Sequence, residues 1–250
     1  MGIVDFSHFP RRSILCIDVK SFFASVEAVR RGLDPLEAYI AVVSDLRRTG
    51  AVVLASSPRV KSEYNIKTGN RLFEIPQRSP IMVVEPNMAL YIKVNKAIQN
   101  IFRRFVADED LHVYSIDESI LDVTASQNLF GSAEVIADAI LKTVKNELGL
   151  IVTAGIGDNP LLAKLALDHE AKKRPPWIAK WTYEMVPQTV WKIQPLTAFW
   201  GISRGYDAKL KRMGIYTIEA LAHANPAWLQ KALGVMGWQL SYHAWGLDAR

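Results

Sequence analysis

Residues 14–27 read ILCIDVKSFFASVE, and residues 114–124 read YSIDESILDVT. The apolar run Ile14-Leu15-Cys16-Ile17 has no helical periodicity and ends in a carboxylate, Asp18, which predicts a buried strand. Ser21 opens a segment in which Phe22, Phe23, Val26 and Val29 predict a helix that stops near Gly32. In the second stretch, strands at 112–116 and 120–124 flank an acidic turn, Asp117-Glu118.

Working outward, 38–43 (AYIAVV) and 51–55 (AVVLA) read as further short strands. A long helix starts near Met88, because Val94, Ile98, Ile101, Phe102 and Phe105 recur at three- and four-residue steps. A second carries Val135, Ile136, Ala139, Ile140, Thr143 and Val144 on one face, and 151–156 (IVTAGI) makes a last strand. Asn159-Pro160 is a helix start, with Asn as the cap and Pro at the first helical position.

This order predicts an α/β (α+β) fold whose sheet is a split βαβ arrangement of the ferredoxin-like kind. Residues 33–82 form an insertion into it. All seven tryptophans fall at or after Trp177, beyond the basic, proline-containing join at 172–176, so a separate helical domain is expected from residue 175.

Half of the 250 residues are hydrophobic, enough for a real core. A net charge of +5 suits a phosphate-bearing partner but is common among other proteins too. Cys16 is the single cysteine, which excludes an internal disulfide and a thiolate zinc site. The five histidines are scattered, without a spacing that would put two on one helix face. Residues 1–12 lack the apolar stretch of a signal peptide, and no apolar run approaches the ~20 residues that span a bilayer. The expectation is a soluble, cytoplasmic protein with no membrane partner.

Three carboxylates carry the chemistry. If the predicted strands are neighbours, Asp18, Asp117 and Glu118 gather at one sheet edge, where they repel one another unless a cation neutralises them. A hard divalent ion with oxygen ligands answers that need, and two such ions could bridge an attacking and a leaving oxygen. Taken singly, each feature has an ordinary reading. A strand-end Asp is usually a turn former, and an Asp-Glu hairpin is usually solvated.

The two strings resemble the first and third motifs of Y-family (UmuC-like) DNA polymerases. AGIGDNPLLAKLALDHEAKK (154–173) and WGISRGYDAKLKRMGIYTIEALA (200–222) are similar to two further segments of that family, the second to its helix–hairpin–helix thumb. The resemblance spans about residues 12–248 and implies translesion DNA polymerisation in DNA repair and the SOS response. It implies a palm at 1–32 and 83–174, fingers at 33–82 and a thumb at 175–250. Asp18, Asp117 and Glu118 would be catalytic and, with the Val19 carbonyl, would ligate two Mg²⁺ ions, with Mn²⁺ able to substitute. Phe23 matches the bulky ring that excludes a ribose 2′-hydroxyl, with Phe22 packing beneath the same nucleotide, whereas simple core packing is the ordinary reading of both rings. Lys164 would meet the incoming triphosphate. Gly201, Gly205 and Gly214 would form hairpin turns holding DNA phosphates, with Lys209, Lys211 and Arg212 adding charge. The implied partners are primer–template DNA and deoxynucleoside triphosphates, with a sliding clamp or accessory subunit bound through a C-terminal region outside this chain.

Two departures stand out. Many family members grip the triphosphate with a Tyr and an Arg three residues apart. In SSPRVKSEYNIKTGNRLFEIP (56–76) those positions hold Arg59 and Ser62, so Arg59 or Lys61 is expected to supply the charge. The family also carries a little-finger domain after the thumb. This chain stops where the thumb should end, as a fragment or a naturally short protein, and weak DNA binding is expected. Two alternatives remain at this stage: a non-catalytic polymerase-like binding module, and another palm-fold enzyme such as a nucleotide cyclase.

Overall fold

The computed structural model describes residues 5–248. β1 (Ile14–Val19) is buried at every position except Asp18, which is partly exposed, as expected of an apolar run covered on both faces. α1 (Phe22–Arg30) follows after a two-residue turn.

β2 (Ile40–Val43), β3 (Val53–Ser56), α2 (Pro58–Tyr64) and β4 (Met82–Val84) make up the insertion. Its strands form their own sheet in the order β3-β2-β4, with β2 antiparallel to β3 and parallel to β4. Alternate residues of a strand face opposite sides, and β2 is apolar at every position because both sides are covered. Ile40 and Val42 pack with Ala24 and Ala28 of α1, while Ala41 and Val43 join Val53, Val60, Ile66 and Ile81.

α3 (Met88–Phe102) is capped by Asn87, whose Oδ1 accepts from the Leu90 N–H at 3.1 Å. It ends before Phe105, which the apolar spacing had included. β5 (Leu111–Val113) and β6 (Glu118–Asp122) then form the expected hairpin, with one difference. Glu118 is the first residue of β6 and 7% exposed, so only Asp117 belongs to the turn. α4 (Gln127–Phe130) and α5 (Ala133–Leu148) lead to β7 (Val152–Gly157).

α6 (Pro160–Ala166) begins as the Asn-Pro pair predicts: Asn159 Oδ1 accepts from the Leu162 N–H at 2.9 Å. It continues into a π-helical turn, Leu167–Ala171. α6 lies so close to β7 that Gly155 and Gly157 are obligatory. A Cβ on Gly155 would stand 2.0 Å from the Ala163 carbonyl oxygen, and one on Gly157 2.3 Å from the Ala163 nitrogen.

β8 (Ile178–Trp181) completes the main sheet, whose order is β5-β6-β1-β7-β8. The first four strands stand in the ferredoxin-like order. The fifth was not expected: 151–156 is not the last strand, because β8 runs parallel to β7 with Gly155 opposite Ala179. Trp181 is thus a sheet residue, not part of a helical domain. Its strand alternates buried Ala179 and Trp181 with exposed Lys180, the period-2 pattern of a half-buried strand. Beyond it, α7 (Arg204–Arg212), α8 (Ile218–His223), α9 (Pro226–Leu233) and α10 (Val235–His243) share a core that includes Leu210, Ile218, Leu221, Leu229 and Leu240.

By contact density the chain divides into two units. One holds Ile17–Ser119 and Ile136–Thr153, and the other holds the remaining described residues. No helix among the described residues is long and apolar enough to cross a membrane.

Candidate active site

The first unit holds Asp18, Asp117 and Glu118. The Val19 N–H donates to the Asp117 carbonyl at 2.9 Å, which brings Asp18 beside the Asp117-Glu118 pair. The Lys20 N–H donates to the carbonyl of Ile151, the residue before β7, at 2.9 Å, securing the end of β1 from another segment. The hairpin turn is tied internally as well. Ser115 Oγ donates to Asp117 Oδ1 at 2.7 Å and accepts from the Glu118 N–H at 3.1 Å. Asn95 of α3 donates its Nδ2 to the Ile116 carbonyl at 2.8 Å. Asp117 therefore sits on a turn fixed from two sides.

These residues fit a divalent cation in kind, since an all-oxygen set of carboxylates and one carbonyl suits a hard ion. They do not fit it in placement. Among the described residues, no group of three or more His, Cys, Asp or Glu side chains is disposed to hold a metal ion. The backbone supplies the neighbourhood, and rotation of the three side chains about their χ angles would have to complete it.

Next along the chain, Ser21 caps α1 with φ 52° and ψ 47°, a left-handed conformation that costs a non-glycine residue about 1–2 kcal/mol. Its hydroxyl accepts from Lys61 Nζ at 2.8 Å. A lysine from α2 thus stands at the start of α1, two residues before Phe23. Phe22 is 3% exposed and belongs to the core, whereas Phe23 is half-buried. The Phe23 ring stacks on Tyr91, centroids 4.4 Å apart and planes 14° from parallel. Tyr91 is fully buried and donates its hydroxyl to Glu27 Oε1 at 2.9 Å. Burial, reinforced by the Glu27 hydrogen bond, pushes the Tyr91 phenol up to about 12.

Arg59 points elsewhere. Its Nε donates to Glu63 at 2.8 Å, a second guanidinium nitrogen pairs with Glu37, and the group lies 5.2 Å from the Tyr39 ring centroid. Of the two cations expected to replace the missing pair, Arg59 is held by two carboxylates and Lys61 reaches α1.

Lys164 lies in the other unit, on α6, 14% exposed and 3.1 Å from Asp168. Burial alone would raise the Asp168 carboxyl, but Lys172 and Lys164 beside it hold it below the usual carboxylate range. The residues expected to bind DNA are mixed. Gly201 takes φ 95° in a turn before α7. Gly205 is not in a hairpin turn: it falls in the first turn of α7, where a backbone N–H has no helical partner. Gly214 takes φ 79° after α7, and the Ile215 N–H donates back to Leu210 at 3.0 Å, so its glycine is explained by helix capping. Lys211 pairs with Asp207 at 2.9 Å, Arg212 Nε donates to the Ala208 carbonyl at 3.3 Å, and Lys209 lies 5.8 Å from the Tyr206 ring centroid.

Sequence reasoning passed over Glu27 and Tyr91. Glu27 had a signal: it stands four residues after Phe23 and four before Arg31, a charge on an otherwise apolar helix face. Tyr91 had none, being one more apolar position on α3.

The profile of a family described as impB/mucB/samB matches residues 17–168, more than half of the chain. The chain belongs to this family. UvrX of Bacillus subtilis (strain 168), named for UV-damage repair, is 50% identical over 246 residues, covering 98% of this chain and 58% of UvrX. "DNA polymerase IV 2" of Halalkalibacterium halodurans is 35% identical over 94% of this chain and 56% of its own length. This impB/mucB/samB chain thus spans a little more than half the length of these relatives. Among solved structures, a Y-family polymerase chimera of Dbh and Dpo4 superposes with a TM-score of 0.80 at 22% identity, over 94% of this chain and 67% of the chimera. The mixed α/β fold is that of Y-family DNA polymerases, and membership of the family implies use of a divalent metal ion.

Proposed function

We propose that this chain carries the catalytic part of a translesion DNA polymerase of the Y family, transferring nucleotides to a primer 3′-hydroxyl opposite damaged template. The observation that carries the reading is the tie between Val19 and Asp117, which sets Asp18 beside Asp117 and Glu118 in a chain of this family. Under it, Asp18, Asp117, Glu118 and the Val19 carbonyl would hold two Mg²⁺ ions once the three side chains turn toward one another, with Mn²⁺ able to replace them. Bound there, the ions would lower the charge barrier to displacement at the α-phosphate. The protein's share is positioning and electrostatics, which dominate phosphoryl-type transfer.

Phe23 is the sugar gate in this reading. A ring against C2′ leaves no room for another oxygen and offers it no hydrogen bond. Phe22, part of the core, supports the start of α1 beneath the nucleotide. Lys61 is the fingers cation for the triphosphate, supported by its reach to Ser21, and Arg59 is not. The palm comprises 1–32 and 83–174 with β8 added, the fingers 33–82, and the helices from α7 onward a thumb. There Gly201, the first-turn N–H of Gly205, Lys209, Lys211 and Arg212 meet DNA phosphates.

Primer extension on an undamaged template, in Mg²⁺ at low salt, tests the reading. Extension by the wild type should vanish in Asp117→Ala. Equal extension by both proteins would refute the carboxylate assignment. DNA binding without extension by the wild type would favour a non-catalytic module.

A further inference from the structure

The Phe23 ring excludes an atom from its neighbourhood only while it cannot retreat. We infer that Glu27 is a positioning residue that fixes the Phe23 gate through Tyr91. This rests on the reading of Phe23 as the sugar gate.

Behind Phe23 lies the parallel ring of Tyr91, fully buried, so the gate is backed by a second aromatic plane. Nothing in ring stacking alone fixes the backing ring, because stacked rings slide over one another at little cost. The Tyr91 hydroxyl supplies the stop by donating to Glu27 Oε1 at 2.9 Å. Glu27 is itself fully buried and stands one turn after Phe23 on α1. Gate and anchor therefore share one helix, and Tyr91 from α3 bridges them in a closed triangle.

The anchor is fixed in turn. Glu27 Oε2 accepts from Arg30 at 3.0 Å and from Arg31, and Arg31 also donates to the Glu27 carbonyl at 2.8 Å. Both carboxylate oxygens are thus bonded. A buried carboxylate is a costly way to hold a helix against its neighbour, since an apolar side chain would pack there without desolvation cost. What the carboxylate adds is direction: a charge-assisted bond to one phenol fixes that ring along its own axis.

The test is single-nucleotide insertion by the full chain, read as the ratio of kcat/KM for a deoxynucleotide to that for its ribonucleotide. The set is Phe23→Ala, Glu27→Ala, Glu27→Gln and Tyr91→Phe, each checked for folding by circular dichroism. NMR of labelled phenylalanine follows the ring-current shift that Tyr91 imposes on Phe23. Glu27→Ala and Tyr91→Phe should each lower the ratio by about tenfold or more, about 1.4 kcal/mol of discrimination. Glu27→Gln, which keeps an acceptor for the phenol, should retain most of it. A general loss of stability would slow both nucleotides alike and leave the ratio unmoved. The inference is overturned if Phe23→Ala collapses the ratio while Glu27→Ala and Tyr91→Phe leave it near wild type. It is also overturned if the Phe23 ring shifts survive in Glu27→Ala. A ratio that Phe23→Ala does not move would instead sink the gate reading, and the ring shifts alone would then judge the anchor.

Discussion

Replacing Lys61 by alanine separates two cations that the sequence left equivalent. Lys61 Nζ lies 2.8 Å from Ser21 Oγ, at the start of the helix that carries Phe23. If it meets the triphosphate there, the lost contact is a hydrogen bond to a charged group, about 1.5–3 kcal/mol. Lys61 is only half-buried, so solvent screening favours the lower end. That corresponds to a KM for the incoming nucleotide about tenfold higher, with kcat reduced less. Arg59→Ala should behave differently. The arginine is 40% exposed, and its pairs with Glu37 and Glu63 are surface pairs, each worth about 0–1 kcal/mol of stability. Its loss should lower the melting temperature slightly and leave KM within about twofold. Steady-state insertion of one nucleotide into a primed template measures both. A normal KM in Lys61→Ala, or a larger rise in Arg59→Ala, would refute the assignment.

Gly155→Ala should be severely destabilising. Its Cβ would have to move from 2.0 Å to an ordinary 3.4 Å from a backbone oxygen, and backbone cannot rotate aside as a side chain can. Overpacking of about 3 kcal/mol would lower the melting temperature by about 6–12 °C, and an unchanged melt would show that α6 is not tightly apposed to β7. Acid should remove the charge that ties Glu27 to Arg30 and Arg31. Burial raises the Glu27 carboxyl, but the Arg31 bond, the Tyr91 hydroxyl and the charges of Arg30 and Arg31 outweigh it and hold it below the usual glutamate range. A carboxyl lowered on folding contributes stability that is present above its unfolded value and lost as pH falls through the folded one. The melting-temperature gap between wild type and Glu27→Gln should therefore narrow as pH drops below about 4.5. A gap constant from pH 7 to 3 would place the stabilisation elsewhere.

Much of the architecture is written locally, and was legible for that reason. Covered on both sides, β1 reads as an unbroken apolar run, and α3 and α5 bury stripes at three- and four-residue steps, although Val135, read as part of the α5 face, is 54% exposed. Asn159-Pro160 announces α6 because capping involves only the next three residues. Adjacent identity also located Asp117 and Glu118, though not that Glu118 opens the strand while Asp117 stays in the turn.

Tertiary structure decided the rest, since it turns on residues far apart in the chain. β8 is four residues long and is a sheet strand because β7 offers an edge to pair with. Lys61 and Arg59 are two residues apart on one helix and chemically alike. Only the path of the chain places Ser21, 40 residues earlier, under one, and Glu37 beside the other. Glu27 and Tyr91 meet across 64 residues. Sequence alone determined which residues could be strand, helix or carboxylate ligand. Which charges face one another, and whether three carboxylates converge, was left to packing, because side-chain direction is set by what surrounds it.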